Sequence, residues 1–414
     1  MNGKYVVRMP VKNREGKILG YEIMYHGENG AFAEQDENEN ELAAADTVYN
    51  FLTQNSTKLM KNSLNFMTFT TTLLMKKTPR LFESSELVIQ IDDSVIVHPL
   101  SMHFIHQYIQ EGYKIAINDF QFLPRYLGLL DSVDYIKISA KKATASEMRS
   151  TVDIARSMKI QCMLMDIETE EQYNLAKEME IDLLEGSYVA EKMTTKVKSS
   201  AYLESNFFRL MIEVTKEEPD IDEIERLIYV DAGLSYGILR LVNSAYFALR
   251  SRTTDIHKAV VLLGVEQLKQ WVYLLGASGN EQGIDEATEE FLKKSFMRAN
   301  FCSDLMRYAK DMPISRPEAY LMGMFSTLNH MIDAPMEEIL DEIPIAEEIK
   351  AGLIHEEGRC GLLCRLVRSY ELADWATTTA MAEKLGIPEQ QIAKIYFACM
   401  EKVDSIWEQL VGVA

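Results

Sequence analysis

The sequence predicts an α/β domain followed by an all-α domain: a truncated TIM-like (β/α) barrel over residues 1–195 and a helical domain over 196–414. Three observations carry this reading. Short β-branched runs alternate with amphipathic stretches up to about residue 190, the β signal fades beyond it, and 414 residues exceed what one hydrophobic core organises.

Taken in order, apolar strands are read at Tyr5–Met9, Ile18–Met24, Leu64–Phe69, Leu87–Ile91, Ile115–Ile117, Tyr135–Ile138, Cys162–Met165 and Asp182–Leu184. The first two lie too close for an intervening helix, and Asn13, Glu15 and Gly16 supply turn residues, so they form an antiparallel hairpin. The stretches AAADTVYNFLTQN, SMHFIHQYIQEGY and EMRSTVDIARSMK carry helical periodicity. Strand–helix repetition implies a mostly parallel sheet, open or closed. About 190 residues fall short of the ~250 typical of eight full units, so an incomplete barrel, or a helix lost near residues 27–41, is expected. That stretch, GENGAFAEQDENENE, has six acids and no base and reads as a solvated loop.

The basic, hydroxyl-rich EKMTTKVKSSAY marks the join. Beyond it Leu234, Ile238, Leu241, Val242 and Ala245 share one helical face, and IHKAVVLLGVEQLKQWVYLLG continues the pattern on both sides of Gly264.

Composition limits function before any motif is considered. A formal charge of −20 repels polyanions, so no nucleic-acid partner is expected. No apolar run approaches the ~20 residues of a bilayer span, and MNGKYVVRMP reads as a strand; a cytoplasmic protein without membrane partners is the expectation. Cys162, Cys302, Cys360, Cys364 and Cys399 lack the flanking ligands of a zinc site and read as buried thiols.

Four segments of the first half, GKILGYEIMYHG, KIAINDF, DYIKIS and DIETEEQYNLAKEMEIDLLEGSY, resemble the EAL domain, a family that degrades cyclic di-GMP. In the second half LRLVNSAYFALRSRTTDIHKAVVLLGVEQLKQWV resembles the HDOD domain, an all-helical relative of HD phosphohydrolases without their metal site, and YLMGMFSTLNHMIDAPMEEIL resembles its continuation in EAL–HDOD signalling proteins.

The first resemblance implies a two-metal phosphodiesterase site, and the residues can be taken one by one. Glu22 stands at the named metal-binding glutamate, Asp119 at the second aspartate of the double-aspartate strand, Lys137 at the lysine and Glu168 at the late glutamate. The remaining positions depart. Thr68 replaces the asparagine ligand, Gln90 the second-strand glutamate, Asn118 the first aspartate and Met165 the glutamate before Glu168; Ser139 and Glu185 replace a further aspartate and the late glutamine. Met9 and His26 stand where the family has substrate-binding glutamine and arginine. Two carboxylates become amides, and a thioether is no ligand for a hard cation, so no metal and no cofactor are expected. The retained four are expected to persist as one polar cluster at the barrel mouth, with Lys137 offsetting part of its charge.

In the second half the resemblance sets Ser326 and Thr327 at the His-Asp pair of HD enzymes; the chain contains no His-Asp dipeptide, and His257, His330 and His355 are scattered. The helix after Gly264 offers Lys269 beside Glu266 and an apolar face of Leu268, Trp271, Val272 and Leu275, which reads as core and not as a DNA-reading surface. The resulting expectation is a non-enzymatic signalling protein acting through protein partners, a second copy of itself included. The alternative is a cyclic di-GMP receptor or weak phosphodiesterase acting through Glu22, Asp119, Lys137 and Glu168.

Overall fold

A computed structural model describes residues 5–26, 63–98, 101–191, 207–229, 232–242, 253, 256–278, 286–331, 335–341, 343 and 345–411. The acidic stretch 27–41, the helix expected over AAADTVYNFLTQN, most of the join and the segment from Asn243 to Phe247 lie outside the described residues. The chain divides into two compact units, residues 1–194 with Ser369–Trp375, and residues 195–368 with 376–414.

In the first unit β1 (Tyr5–Asn13), β2 (Ile18–His26), β3 (Leu64–Thr68), β4 (Leu87–Ile91), β5 (Lys114–Ile117), β6 (Tyr135–Ser139), β7 (Gln161–Met165) and β8 (Leu183–Leu184) form a closed barrel in sequence order. β1 and β2 are the expected antiparallel hairpin. β2 to β8 pair in parallel, and β8 closes antiparallel on β1 through Lys12–Leu184 and Asn13–Leu183. The ring is therefore complete, which corrects the expectation of an incomplete barrel. It fits a short chain because its elements are short: β8 has two residues, and α1 (Thr71–Met75) and α2 (Asp93–Val97), on either side of β4, have five each.

The remaining helices of the unit are α3 (Ser101–Gln110), α4 (Leu127–Leu130), α5 (Ala145–Met158), α6 (Glu170–Glu178) and α7 (Ser187–Glu191), of which α3, α5 and α6 are the longer ones. Thr144 with Glu147 and Thr169 with Gln172 form reciprocal capping boxes, which fix where α5 and α6 begin after β6 and β7. At Gly20 a Cβ would stand 2.4 Å from the Leu64 carbonyl oxygen, so β2 and β3 approach closely only because that side chain is missing.

Val11, Phe66, Val88, Ala116, Tyr135, Met163 and Leu183, one from each strand except β2, form a single buried cluster, with the Phe66 ring edge-on to Tyr135 at 5.2 Å. Side chains on a strand repeat every two residues. The positions two further on from six of these are Thr68, Gln90, Asn118, Lys137, Met165 and Glu185, and Glu22 sits across from Phe66 in the register. An apolar layer thus plugs the barrel, and a predominantly polar layer lies above it at the C-terminal ends of the parallel strands, where parallel barrels hold their sites.

The second unit is helical throughout its described residues: α8 (Phe207–Thr215), α9 (Ile221–Tyr229), α10 (Ala232–Val242), α11 (Ile256–Ser278), α12 (Glu286–Leu305), α13 (Arg316–Phe325), α14 (Leu328–Met331), α15 (Met336–Asp341), α16 (Glu347–His355), α17 (Gly358–Glu371, whose last turn groups with the barrel), α18 (Trp375–Leu385) and α19 (Glu389–Val411). Leu234, Ile238 and Val242 are buried on the face expected of α10, with Leu241 half-buried. α11 is two helices joined at Gly264, which has φ +70° and ψ 160°, a conformation open essentially to glycine alone. Leu268, Trp271 and Val272 of the second segment are core, as their spacing implied; the Leu275 side chain is outside the described set. Of the five free thiols, Cys162, Cys302, Cys360 and Cys399 are buried and Cys364 half-buried. Burial pushes the Cys162 thiol up to about 12 and that of Cys360 to about 11, so neither is a thiolate near neutral pH.

Candidate functional site

The polar layer is organised around Lys137. Its side chain is 1% exposed on β6, and its ammonium donates to both oxygens of Glu22, each at 2.8 Å, and to Gln90 Oε1. Gln90 Nε2 turns to Glu22 Oε1 and Thr68 Oγ1, both at 3.4 Å. Thr68 also accepts from Asn118 Nδ2 at 3.3 Å, and Asn118 Nδ2 reaches Asp92 Oδ1 at 2.9 Å. Four strands are linked by a network in which the Lys137 ammonium has three acceptors, one for each of its N–H donors.

The expected single cluster of four is divided in the structure. Glu22 and Lys137 meet, whereas Asp119 pairs with Lys142 at 2.6 Å and Glu168 with Lys141 at 2.8 Å. Asp119 follows β5 at φ +45°, and Glu168 lies beyond β7 just before the Thr169 cap of α6. Each of the three retained carboxylates is held by its own lysine. Met165 ends β7 opposite Ser139, whose hydroxyl donates to Asp166 Oδ2 at 2.5 Å. Met9 is buried in β1 across from Glu22; the His26 side chain lies outside the described residues.

Four contributors were not read from the sequence: Asp92, Asp166, Lys141 and Lys142. The adjacent lysines directly after DYIKIS were the available signal, since a residue just past a parallel strand falls on the barrel's site face. Asp92 and Asp166, which directly follow β4 and β7, carry the same positional signal.

Burial sets the charge of the layer. It pushes the Glu185 carboxyl up to about 8; Glu22 and Asp166 act in the same direction, while Lys137 opposes. Asp92 is also raised by burial, with the Asn118 amide and Lys137 opposing. Burial therefore favours the protonated form of Glu185, and Glu22 is offset by Lys137. Two buried oxygens, Asn118 Oδ1 and Asp119 Oδ1, have no hydrogen-bond partner. Among the described residues no group of three or more His, Cys, Asp or Glu side chains is placed to hold a metal ion.

In the helical unit the positions aligned with a His-Asp pair carry hydroxyls. Thr327 is fully buried, sharing a 2.6 Å hydrogen bond with Ser295 Oγ and donating to the Met324 carbonyl at 2.9 Å. Ser326 donates to the Gly323 carbonyl at 2.7 Å and accepts from Arg298 at 3.3 Å. His257 is exposed and pairs with Glu225, and His355 ends α16; the His330 side chain is outside the described set.

Comparison with known proteins follows the same division. The EAL domain profile matches residues 45–192 and the HDOD domain profile residues 201–344. The first match begins after β2, so Glu22 lies outside the matched segment. The protein YuxH of Bacillus subtilis (strain 168) is 26% identical over 405 residues, covering 96% of this chain and 97% of its own. The cyclic di-GMP phosphodiesterase CdgJ of Vibrio cholerae is 26% identical over 391 residues, covering 94% of this chain and 89% of its own. The crystal structure of the EAL domain of Mycobacterium smegmatis DcpA aligns with TM-score 0.37 and 15% identity, over 45% of this chain and 92% of that one. No helix among the described residues is long and apolar enough to cross a membrane.

Proposed function

The chain is a two-domain protein with an EAL domain followed by an HDOD domain, and on that premise we propose that it acts in cyclic di-GMP-related bacterial signalling as a non-catalytic adaptor, working in the cytoplasm through protein contacts. The observation that carries this reading is the 2.8 Å double contact of Lys137 with Glu22, the residue at the family's named metal-binding position. Hard divalent cations take about six oxygen ligands, and their affinity follows the number of anionic ones. Here Glu22, Asp119 and Glu168 are each engaged by a lysine, Gln90 and Asn118 are neutral, and Met165 presents sulfur. The donor set does not fit a pair of magnesium-like ions.

A second reading, a cyclic di-GMP receptor or weak phosphodiesterase, is favoured by two observations. CdgJ, with which this chain aligns over nearly its whole length, is a cyclic di-GMP phosphodiesterase, and the successive residues Asn118 and Asp119 each keep one buried oxygen without a hydrogen-bond partner. One carboxylate oxygen and one amide oxygen amount to a fragment of one cation site. Incubating the purified protein with cyclic di-GMP and magnesium or manganese, with titration calorimetry in parallel, tests the choice. No hydrolysis and no micromolar binding are expected; linear dinucleotide product would overturn the adaptor reading. Affinity capture of the intact chain is expected to recover a stable protein partner.

A further inference from the structure

The helical unit contains a cavity of about 590 Å³ whose walls come from α11, α12, α13, α19 and the turns after α8 and α12. That volume falls within the ~300–1,000 Å³ of small-molecule sites. Four cations line it, from four segments: Lys269, Arg307, Arg316 and Lys402. Three carboxylates accompany them. Asp304 is shared by two guanidinium groups, Arg316 at 2.9 Å and Arg307 at 3.1 Å, so one negative charge serves two positive ones. Glu217 and Glu266 are exposed and solvated. The lining thus carries four cations against three carboxylates, a formal excess of one positive charge in a chain whose formal charge is −20.

Lys269 is the informative residue. Its side chain is 14% exposed, its ammonium lies over the Tyr320 ring at 4.5 Å, and the nearest carboxylate, Glu266, is 3.9 Å away, beyond hydrogen-bond distance. Burial pulls its pKa below the usual lysine value, with Glu266 opposing and Lys402 adding to the effect. A largely desolvated ammonium without an anionic hydrogen-bond partner is costly, and an anion in the cavity would relieve that cost. Arg316 is pre-oriented for such a ligand: its Nε donates to the Ser303 carbonyl at 3.2 Å, which fixes the guanidinium plane. Cations supplied by four separate segments suit the several terminal oxygens of a tetrahedral phosphate better than a planar carboxylate.

We propose that this cavity binds a small organic phosphate, a phosphomonoester of about nucleotide size, with Lys269, Arg307, Arg316 and Lys402 around the phosphate. The inference concerns the helical unit and is independent of the adaptor reading of the barrel. The test is calorimetric titration of the full-length protein with adenosine 5′-monophosphate and, separately, with inorganic phosphate at constant ionic strength. Saturable binding of the nucleotide, tighter than that of inorganic phosphate, is expected, with Lys269→Gln and Lys402→Gln each weakening it about tenfold, the scale of one lost charge-assisted hydrogen bond. Lys402 is exposed, so its variant decides the matter if Lys269→Gln does not fold. Absence of saturable binding, nucleotide binding no tighter than that of the free ion, or affinities unchanged in the folded variants would overturn the proposal.

Discussion

At the residue scale the barrel mouth shows how former ligand positions are held once their charges change. Lys137 and Glu22 are buried together, and removing one partner of such a pair leaves the other uncompensated. Lys137→Met is expected to destabilise the protein by about 3–5 kcal/mol in chemical denaturation, and adding Glu22→Gln should recover most of the loss. Glu185 makes a separate prediction. Its folded pKa, about 8, lies above the ordinary glutamate value of 4.5, so between those limits the native state binds the proton that the unfolded chain has released. Its contribution is present below about pH 4.5 and is lost as pH rises towards 8, at about 1.4 kcal/mol per unit. Melting temperatures of wild type and Glu185→Gln across this range are expected to converge at the acidic end, with the variant more stable at pH 8.

At the scale of elements the strands were legible and the site's wiring was not. All eight expected strands occur because each is a short apolar run bounded by turn residues, and the hairpin followed from a connection too short for a helix. Barrel closure was not legible, because the expected size assumes full helices between strands, whereas α1 and α2 are single turns. The resemblance to the EAL domain, and not strand periodicity, singled out Thr68, Gln90, Asn118, Lys137 and Met165, and the two-residue repeat of the strands explains why they share one layer. Neither reaches Asp92, Asp166, Lys141 and Lys142, which lie in the connections after β4, β7 and β6, where the backbone leaves the strand. Gly264 was legible as a hinge for a physical reason that can be measured. No atom stands within 4 Å of a Cβ added there, so Gly264→Ala meets no clash and its cost is purely conformational. An alanine forced to φ +70° and ψ 160° should lower stability by about 1–3 kcal/mol in thermal or chemical denaturation, and a neutral result would mean that the helix break shifts to another residue.

For the molecule as a whole, electrostatics acts differently on polymers and on small ions. A formal charge of −20 is spread over the surface, and at physiological salt its influence decays over about 8 Å. On composition alone, a DNA duplex is expected to meet net repulsion and to gain counterion release only at a basic stripe. A small phosphate at the cavity proposed in the helical unit would instead meet the local lining, four cations and three carboxylates, with the distant acids screened. The two responses should therefore separate in one sample. Fluorescence anisotropy of a labelled DNA duplex is expected to stay flat as the protein is added, even at low salt, where attraction to any basic face would be strongest. A salt-sensitive rise would reveal a basic surface beyond the described residues and reverse the exclusion of nucleic-acid partners drawn from composition.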